Sequence, residues 1–188
     1  YAYATIAEAL AAAVDGSEIV VFAGTYAEEL TIDKAVTIYG PNHGVHGNAE
    51  RAEEAIITSL VTITANGVTI DGVKFLENGN IKVSANNTVI TNIYMMPEKT
   101  IAGNTINRQG TIVDGANISD LVISNSYFNA PGDVNTYTKE FIAFNNLTNF
   151  TLDNNYITNR ATTVSGSSSY EGARFYTSAG VYNITNKK

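Results

Sequence analysis

Short apolar–polar alternations recur along this chain, each closed by Gly, Asn or Asp. Val68-Thr69-Ile70-Asp71-Gly72-Val73-Lys74-Phe75 is followed by Val89-Ile90-Thr91-Asn92-Ile93-Tyr94-Met95. Leu121-Val122-Ile123-Ser124-Asn125-Ser126-Tyr127-Phe128 and Phe150-Thr151-Leu152-Asp153-Asn154-Asn155-Tyr156-Ile157 repeat the pattern. Val36-Thr37-Ile38-Tyr39-Gly40 is an early partial copy, and Tyr182-Asn183-Ile184-Thr185-Asn186-Lys187-Lys188 is a last one. Alternation of period two predicts strands with one buried face. Self-similarity at this spacing predicts a solenoid. A helical period occurs only at residues 4–14, where Ile6, Leu10 and Val14 share one face and Asp15-Gly16 closes the segment. So short a helix is marginal alone and is expected to dock, as a plug on the open end of the solenoid.

The aligned marker residues of the repeated word, Ile38, Ile70, Ile90, Ile123, Leu152 and Ile184, lie 32, 20, 33, 29 and 32 residues apart. The shortest interval sets a basic turn, and longer ones add a loop. Upstream of the markers stand further strands at Val61-Thr62-Ile63, Ile81-Lys82-Val83, Thr111-Ile112-Val113, Phe141-Ile142-Ala143-Phe144 and Ala173-Arg174-Phe175-Tyr176. Bends such as Ala65-Asn66-Gly67 and Ala85-Asn86-Asn87 join the pairs. The insertions 40–54, 96–110, 129–140 and 158–172 are expected to emerge on one side of the stack. The predicted architecture is all-β: a right-handed parallel β-helix of about five to six rungs. Residues 1–17 form its N-terminal capping helix. Residues 18–188 form the β-helix, which the unfinished last word marks as truncated at its C-terminal end. An antiparallel sandwich accounts for short strands and turns but not for the columns that follow.

Aligned markers give columns. Gly72, Asn92, Asn125, Asn154 and Asn186 form one, read as a structural asparagine ladder because a side-chain amide both donates and accepts. Lys74, Tyr94, Tyr127, Tyr156 and Lys188 form another, with Phe75, Met95, Phe128 and Ile157 beside them pointing inward. The tyrosines are expected to make a flat aromatic strip. It stiffens the sheet by self-stacking, or stacks on sugar rings. Asp71 and Asp153 stand three rungs apart in the column before the asparagines, roughly 14 Å at the usual strand spacing. Paired carboxylates for glycoside hydrolysis need about 5–9.5 Å, so these two are read as turn residues.

Composition narrows the partners. The 188 residues are 44% hydrophobic but only 15% charged, so Asn, Thr, Ser and Gly must supply the polar surface. A net charge of −7 and the lack of a basic run speak against nucleic acid. No apolar run is long enough to insert in a membrane. Without cysteine there are no disulfides and no thiolate metal sites. Calcium needs six to eight oxygens, and no loop of that type is present. His43 and His46 sit in a Gly-rich loop expected to be solvated. Asn-x-Ser/Thr occurs at Asn86, Asn117, Asn146, Asn149 and Asn183, as chance provides in so Asn/Thr-rich a chain. No metal or other cofactor is implied. The chain opens at Tyr1 without Met, as in a processed product or a fragment.

The run from Ala4-Thr5-Ile6 through Gly24-Thr25-Tyr26 and Leu30-Thr31-Ile32 to Lys34-Ala35-Val36-Thr37-Ile38-Tyr39-Gly40 resembles the opening of pectin-lyase-like right-handed β-helix domains. Those domains begin with a helix, a Gly-bounded strand, a Gly-Thr-Tyr turn and a K-x-V-T-I-x-G word. Gly40-Pro41-Asn42 to Ala55-Ile56-Ile57, with Val68 to Gly72, is similar to surface and phage-associated members. The resemblance implies the fold and a wide range of activities, from polysaccharide lyases, esterases and hydrolases to adhesins. A lyase-like site would need clustered carboxylates and an arginine base, yet Arg108, Arg160 and Arg174 have no acidic cluster in register. A hydrolase-like site would need several Asp with a His, and His43 and His46 have only Glu50 close in sequence.

The reading is therefore a non-catalytic structural and interaction module of an extracellular surface, adhesin-like or phage virion protein. Its partners would be other subunits of a fibre or virion, or cell-surface glycans, contacted through the loops. The alternative is a carbohydrate-binding or polysaccharide-degrading domain. Its contact candidates are Tyr94, Tyr127, Tyr156, Arg108 and Arg160, with Asp133 and Glu140 beside them in a loop-built site.

Overall fold

The computed structural model describes residues 1–96, 112–114, 117–130, 142–159, 173–177 and 182–185. One helix, α1 (Ile6–Ala12), precedes the strands β1 (Glu18–Val20), β2 (Gly24–Tyr26), β3 (Leu30–Ile32), β4 (Thr37–Tyr39) and β5 (Ala55–Ile57). Next come β6 (Val61–Ile63), β7 (Thr69–Asp71), β8 (Lys74–Leu76), β9 (Ile81–Val83), β10 (Val89–Thr91) and β11 (Tyr94–Met96). The last are β12 (Ile112–Asp114), β13 (Ile118–Ser124), β14 (Tyr127–Ala130), β15 (Ile142–Asp153), β16 (Tyr156–Asn159), β17 (Ala173–Thr177) and β18 (Tyr182–Thr185).

All pairings are parallel and sequence-ordered, the arrangement of a right-handed parallel β-helix. Each turn contributes to three faces. The marker face runs β1, β4, β7, β10, β13, β15, and a first face runs β3, β6, β9, β12, β15. They merge into one sheet because β15 continues unbroken from one face to the other. The third face runs β2, β5, β8, β11, β14, β16. The repeated word is thus two strands, not one. Its break falls at Gly72, Asn92, Asn125 and Asn154, whose φ angles of 77°, 53°, 50° and 52° are left-handed. A second left-handed set, Gly67, Asn87, Asp120 and Asn149, stands five residues upstream with φ of 78°, 55°, 57° and 53°. Gly, Asn and Asp tolerate this region because no branched side chain crowds the carbonyl. Two such residues turn the chain sharply at each end of the four-residue marker segment.

Between those corners the pattern is strict. Ile38, Ile70, Ile90, Ile123 and Leu152 point inward, as do Val68, Leu121 and Phe150. Thr88 occupies the same inner column as Val68, fully buried, and its hydroxyl donates to the Ala85 carbonyl at 3.3 Å. Phe75, Met95 and Phe128 line the third face from inside, each worth about 1.5–3 kcal/mol of burial. Ile157, expected inward with them, is 36% exposed; it lies on β16, the end strand of that sheet.

The helix is shorter than its sequence pattern. Thr5 caps it by accepting from the Glu8 amide at 3.1 Å, and Ala13 turns to extended backbone. Ile6 and Leu10 are buried against β3, but Val14, past the end, is 68% exposed. Glu28 accepts from the amides of Ile6 and Ala7, and Lys34 donates to the Leu10 carbonyl. Both ends of the helix are thus tied to the first turn. The loops do not share one side. Residues 40–54 join β4 to β5, between the marker and third faces, whereas the later insertions join β11 to β12, β14 to β15 and β16 to β17. The first insertion therefore leaves at a different corner from the rest.

Candidate functional site

The insertion 40–54 is solvated only on its outer side: His43 is exposed as expected, but Asn42 and Gly47 are buried and His46 is half-buried. It lies along the left-handed corner and caps it turn by turn. The Asn42 amide donates to the Gly72 carbonyl at 3.2 Å, and the Arg51 guanidinium to the Asn92 carbonyl at 2.8 Å. The Gly47 amide donates to the Asn125 carbonyl at 2.8 Å, and His46 Nε2 to the Asn154 carbonyl at 2.8 Å. One short segment thus reaches four successive rungs, roughly 14 Å of stack. Left-handed corners turn carbonyls out of the ladders, and this strap supplies the donors they need.

Close approach dictates its glycines. A Cβ on Gly47 would collide with the Ile93 carbonyl oxygen and the Tyr127 amide nitrogen, and one on Gly40 with the Gly72 carbonyl. The strap is braced from within. Arg51 pairs with Glu54 at 2.7 Å, the two side chains only 7% and 12% exposed, and also donates to the Val45 carbonyl. Buried Asn42 donates to Glu54 at 2.9 Å and accepts from the Ala52 amide. His43 bonds the Gly40 carbonyl at 3.1 Å and packs on Tyr39.

The asparagine column is first a conformational column and second a ladder. Asn92 Nδ2 donates to Asp71 Oδ1 at 2.8 Å, and Asn154 Nδ2 to Asn125 Oδ1 at 2.7 Å. Gly72 has no side-chain oxygen to accept, so Asn92 reaches across to Asp71, which also accepts from the Gly44 amide. Asp71 and Asp153 are in register through Thr91 and Ser124, three strands apart, as their spacing in sequence requires.

Tyr94, Tyr127 and Tyr156 share one column with Lys74. They are not a flat strip. Tyr94 and Tyr127 meet edge to face, centroids 5.0 Å apart and planes at 89°; Tyr127 and Tyr156 are 5.2 Å apart at 55°. Lys74 Nζ sits 4.7 Å over the Tyr94 ring. Asn129 donates to the Tyr94 hydroxyl and Thr158 to the Tyr127 hydroxyl. Rings that turn edges to one another present no continuous platform, because each edge seeks its neighbour's face. Arg108, Arg160, Asn186, Asp133 and Glu140 lie outside the described residues.

No protein-family model, curated protein or solved structure matches the chain. The site must therefore be read from its own chemistry. Among the described residues no three His, Cys, Asp or Glu stand together as a metal would need, and no helix is long and apolar enough to cross a membrane.

Sequence reasoning missed a buried polar column. Val73 and Ile93 are followed up the stack by Ser126 and Asn155, which are buried. Asn155 accepts from the Ser126 amide and donates to the Ile123 carbonyl, while the Ser126 hydroxyl donates to the Ser124 carbonyl. The signal was present: a polar residue replaces Val or Ile directly after the corner asparagine. The strap left no periodic signal, only its glycines.

Proposed function

We propose that this chain is a non-catalytic structural and interaction module, a pectin-lyase-like β-helix from an extracellular surface, adhesin-like or virion protein. One observation carries the reading: among the described residues, Asp71, His43, His46 and Arg51 are engaged in holding the strap together and onto the rungs. Asp71 accepts from the strap and from Asn92. His43 and His46 bond backbone carbonyls. Arg51 joins Glu54 to two carbonyls. Such a stack is a rigid scaffold for loops that meet other subunits of a fibre or virion.

The carbohydrate reading rests on the tyrosine column, of which Tyr156 is 47% exposed. A glycan array and a broad polysaccharide panel, read for new reducing ends and unsaturated products, decide between the two. The scaffold reading expects no cleavage and no glycan binding that depends on the tyrosine column. Binding or cleavage lost in Tyr127→Ala and Tyr156→Ala variants would overturn it.

A further inference from the structure

The N-terminal end of the solenoid has an edge that α1 leaves open. β1 is the outermost strand of its sheet. On its inner side the Thr37 amide donates to the Ser17 carbonyl and the Val21 amide to the Tyr39 carbonyl, at 3.0 and 2.8 Å. Alternation in a parallel ladder then turns the backbone N–H and C=O of Glu18 and Val20 the other way, where no strand stands among the described residues. The neighbouring N-terminal segment does not satisfy them: the amides of Ala4, Ile6 and Ala7 go to the carboxylates of Glu8 and Glu28.

Beside this edge lies a groove of about 460 Å³, walled by Tyr1, Tyr3, Ala9, Val20, Phe22 and Tyr26 among others. Val20 is 64% exposed and Phe22 77%. Val20 ends β1 and Phe22 lies two residues beyond it, so both large apolar side chains stand on the same outer side of the chain next to the unpaired backbone. Val20 stands beside Tyr39 in the ladder, so a strand added to the β1 edge would extend that outer column by one rung and cover Val20. Glu18 is the only charged side chain among the groove's walls.

We infer that β1 and this groove accept an extended strand of another protein, added parallel to β1, with apolar residues at alternate positions and a basic residue near Glu18. A strand is the occupant that fills an apolar groove and pairs an open backbone edge at once. A compact apolar molecule would leave the backbone groups unpaired. A second copy of this chain would bring a net charge of −7 against another −7.

The probe is a blocked peptide with the sequence of residues 34–40, Lys-Ala-Val-Thr-Ile-Tyr-Gly, which copies the strand that β1 already pairs with and carries a lysine. Titrated into the 188-residue chain, it should shift the amide resonances of Glu18 to Phe22 saturably. A peptide with proline in place of its central threonine should not, since it lacks the ladder donor. Val20→Asp with Phe22→Asp should weaken binding by about tenfold or more while the thermal melt stays unchanged, because both side chains are exposed. No shift at residues 18–22 with millimolar peptide overturns the inference, as does equal binding by the double variant. Sedimentation showing that the chain self-associates through Val20 and Phe22 also overturns it, because the occupant would then be a second copy.

Discussion

His46 donates from Nε2 to the carbonyl of Asn154, 108 residues further along the chain, at 2.8 Å. Its other ring nitrogen accepts from the Asn48 amide at 3.0 Å. A backbone amide can only donate and a carbonyl can only accept, so the ring is neutral with its proton on Nε2. Nitrogen-15 spectra should show an unprotonated Nδ1 and a protonated Nε2, with the Nε2 proton coupled to the Asn154 carbonyl. His46→Ala removes the bond to the half-buried Asn154 carbonyl, while water takes the exposed Asn48 amide, and should cost about 0.5–1.5 kcal/mol in urea unfolding. A loss below about 0.5 kcal/mol would mean that the strap does not hold the Asn154 rung, since a bond to that rung is worth at least this much.

The glycines of the strap separate two physical costs. Gly44 has φ of +74° but open space around a Cβ, so Gly44→Ala should cost only the left-handed strain, about 1–2 kcal/mol. Gly47 has no such φ, yet its Cβ would strike backbone of two neighbouring rungs. Gly47→Ala should therefore lift the strap. The readout is trypsin cleavage after Arg51, a side chain now buried against Glu54. Gly47→Ala should be cut much faster than wild type, and Gly44→Ala only slightly faster.

Arg51 supports the strap through charge and shape together. Its guanidinium spans both oxygens of Glu54, at 2.7 and 3.2 Å, and two backbone carbonyls. Arg51→Ala strands a carboxylate in a buried site and should cost about 3–5 kcal/mol. Arg51→Lys keeps the charge but lacks the planar fork, so its melting temperature should fall between the two. Equal melting temperatures for the lysine variant and wild type would show that charge alone matters.

Much of this fold was legible because its rules are local and repeated. The inward columns follow from period two, and the marker strands stack in the register that Ile70, Ile90 and Ile123 suggest. The corner at Asn92 was legible as a column but not as a bend, because an asparagine's left-handed φ leaves no mark beyond its residue type. The pair Asn87 and Asn92, repeated at Asp120 and Asn125, would have revealed it. Tyrosine alternation gave the correct column but not the ring planes, which depend on Asn129 and Thr158 from the next column. The strap was illegible because it pairs no strand of its own. Its partners, Asn125 and Asn154, are distant in sequence and related to it only through the stacking.

Gly72 breaks the asparagine column, and the strap explains why. Asn92, Asn125 and Asn154 hold the same left-handed conformation with full side chains. By the repeat alone, Gly72→Asn should be neutral or stabilising, since it replaces the more flexible residue with the column's own. The structure predicts the opposite. A Cβ at this position would run into the His43 amide nitrogen and the Asn42 carbonyl carbon, both backbone, where the strap begins. Overpacking of this kind costs about 1–3 kcal/mol, and more where backbone must move. Asn125→Gly is the matched control: it keeps the φ, and it loses one side-chain bond to Asn154. Chemical denaturation should therefore rank Gly72→Asn well below Asn125→Gly. Faster amide exchange in Gly72→Asn should centre on residues 40–48 and then extend to Tyr127 and Tyr156 as the strap loses its hold on their rungs. Exchange confined to residues 70–74 would show that the strap yields locally and does not couple the rungs.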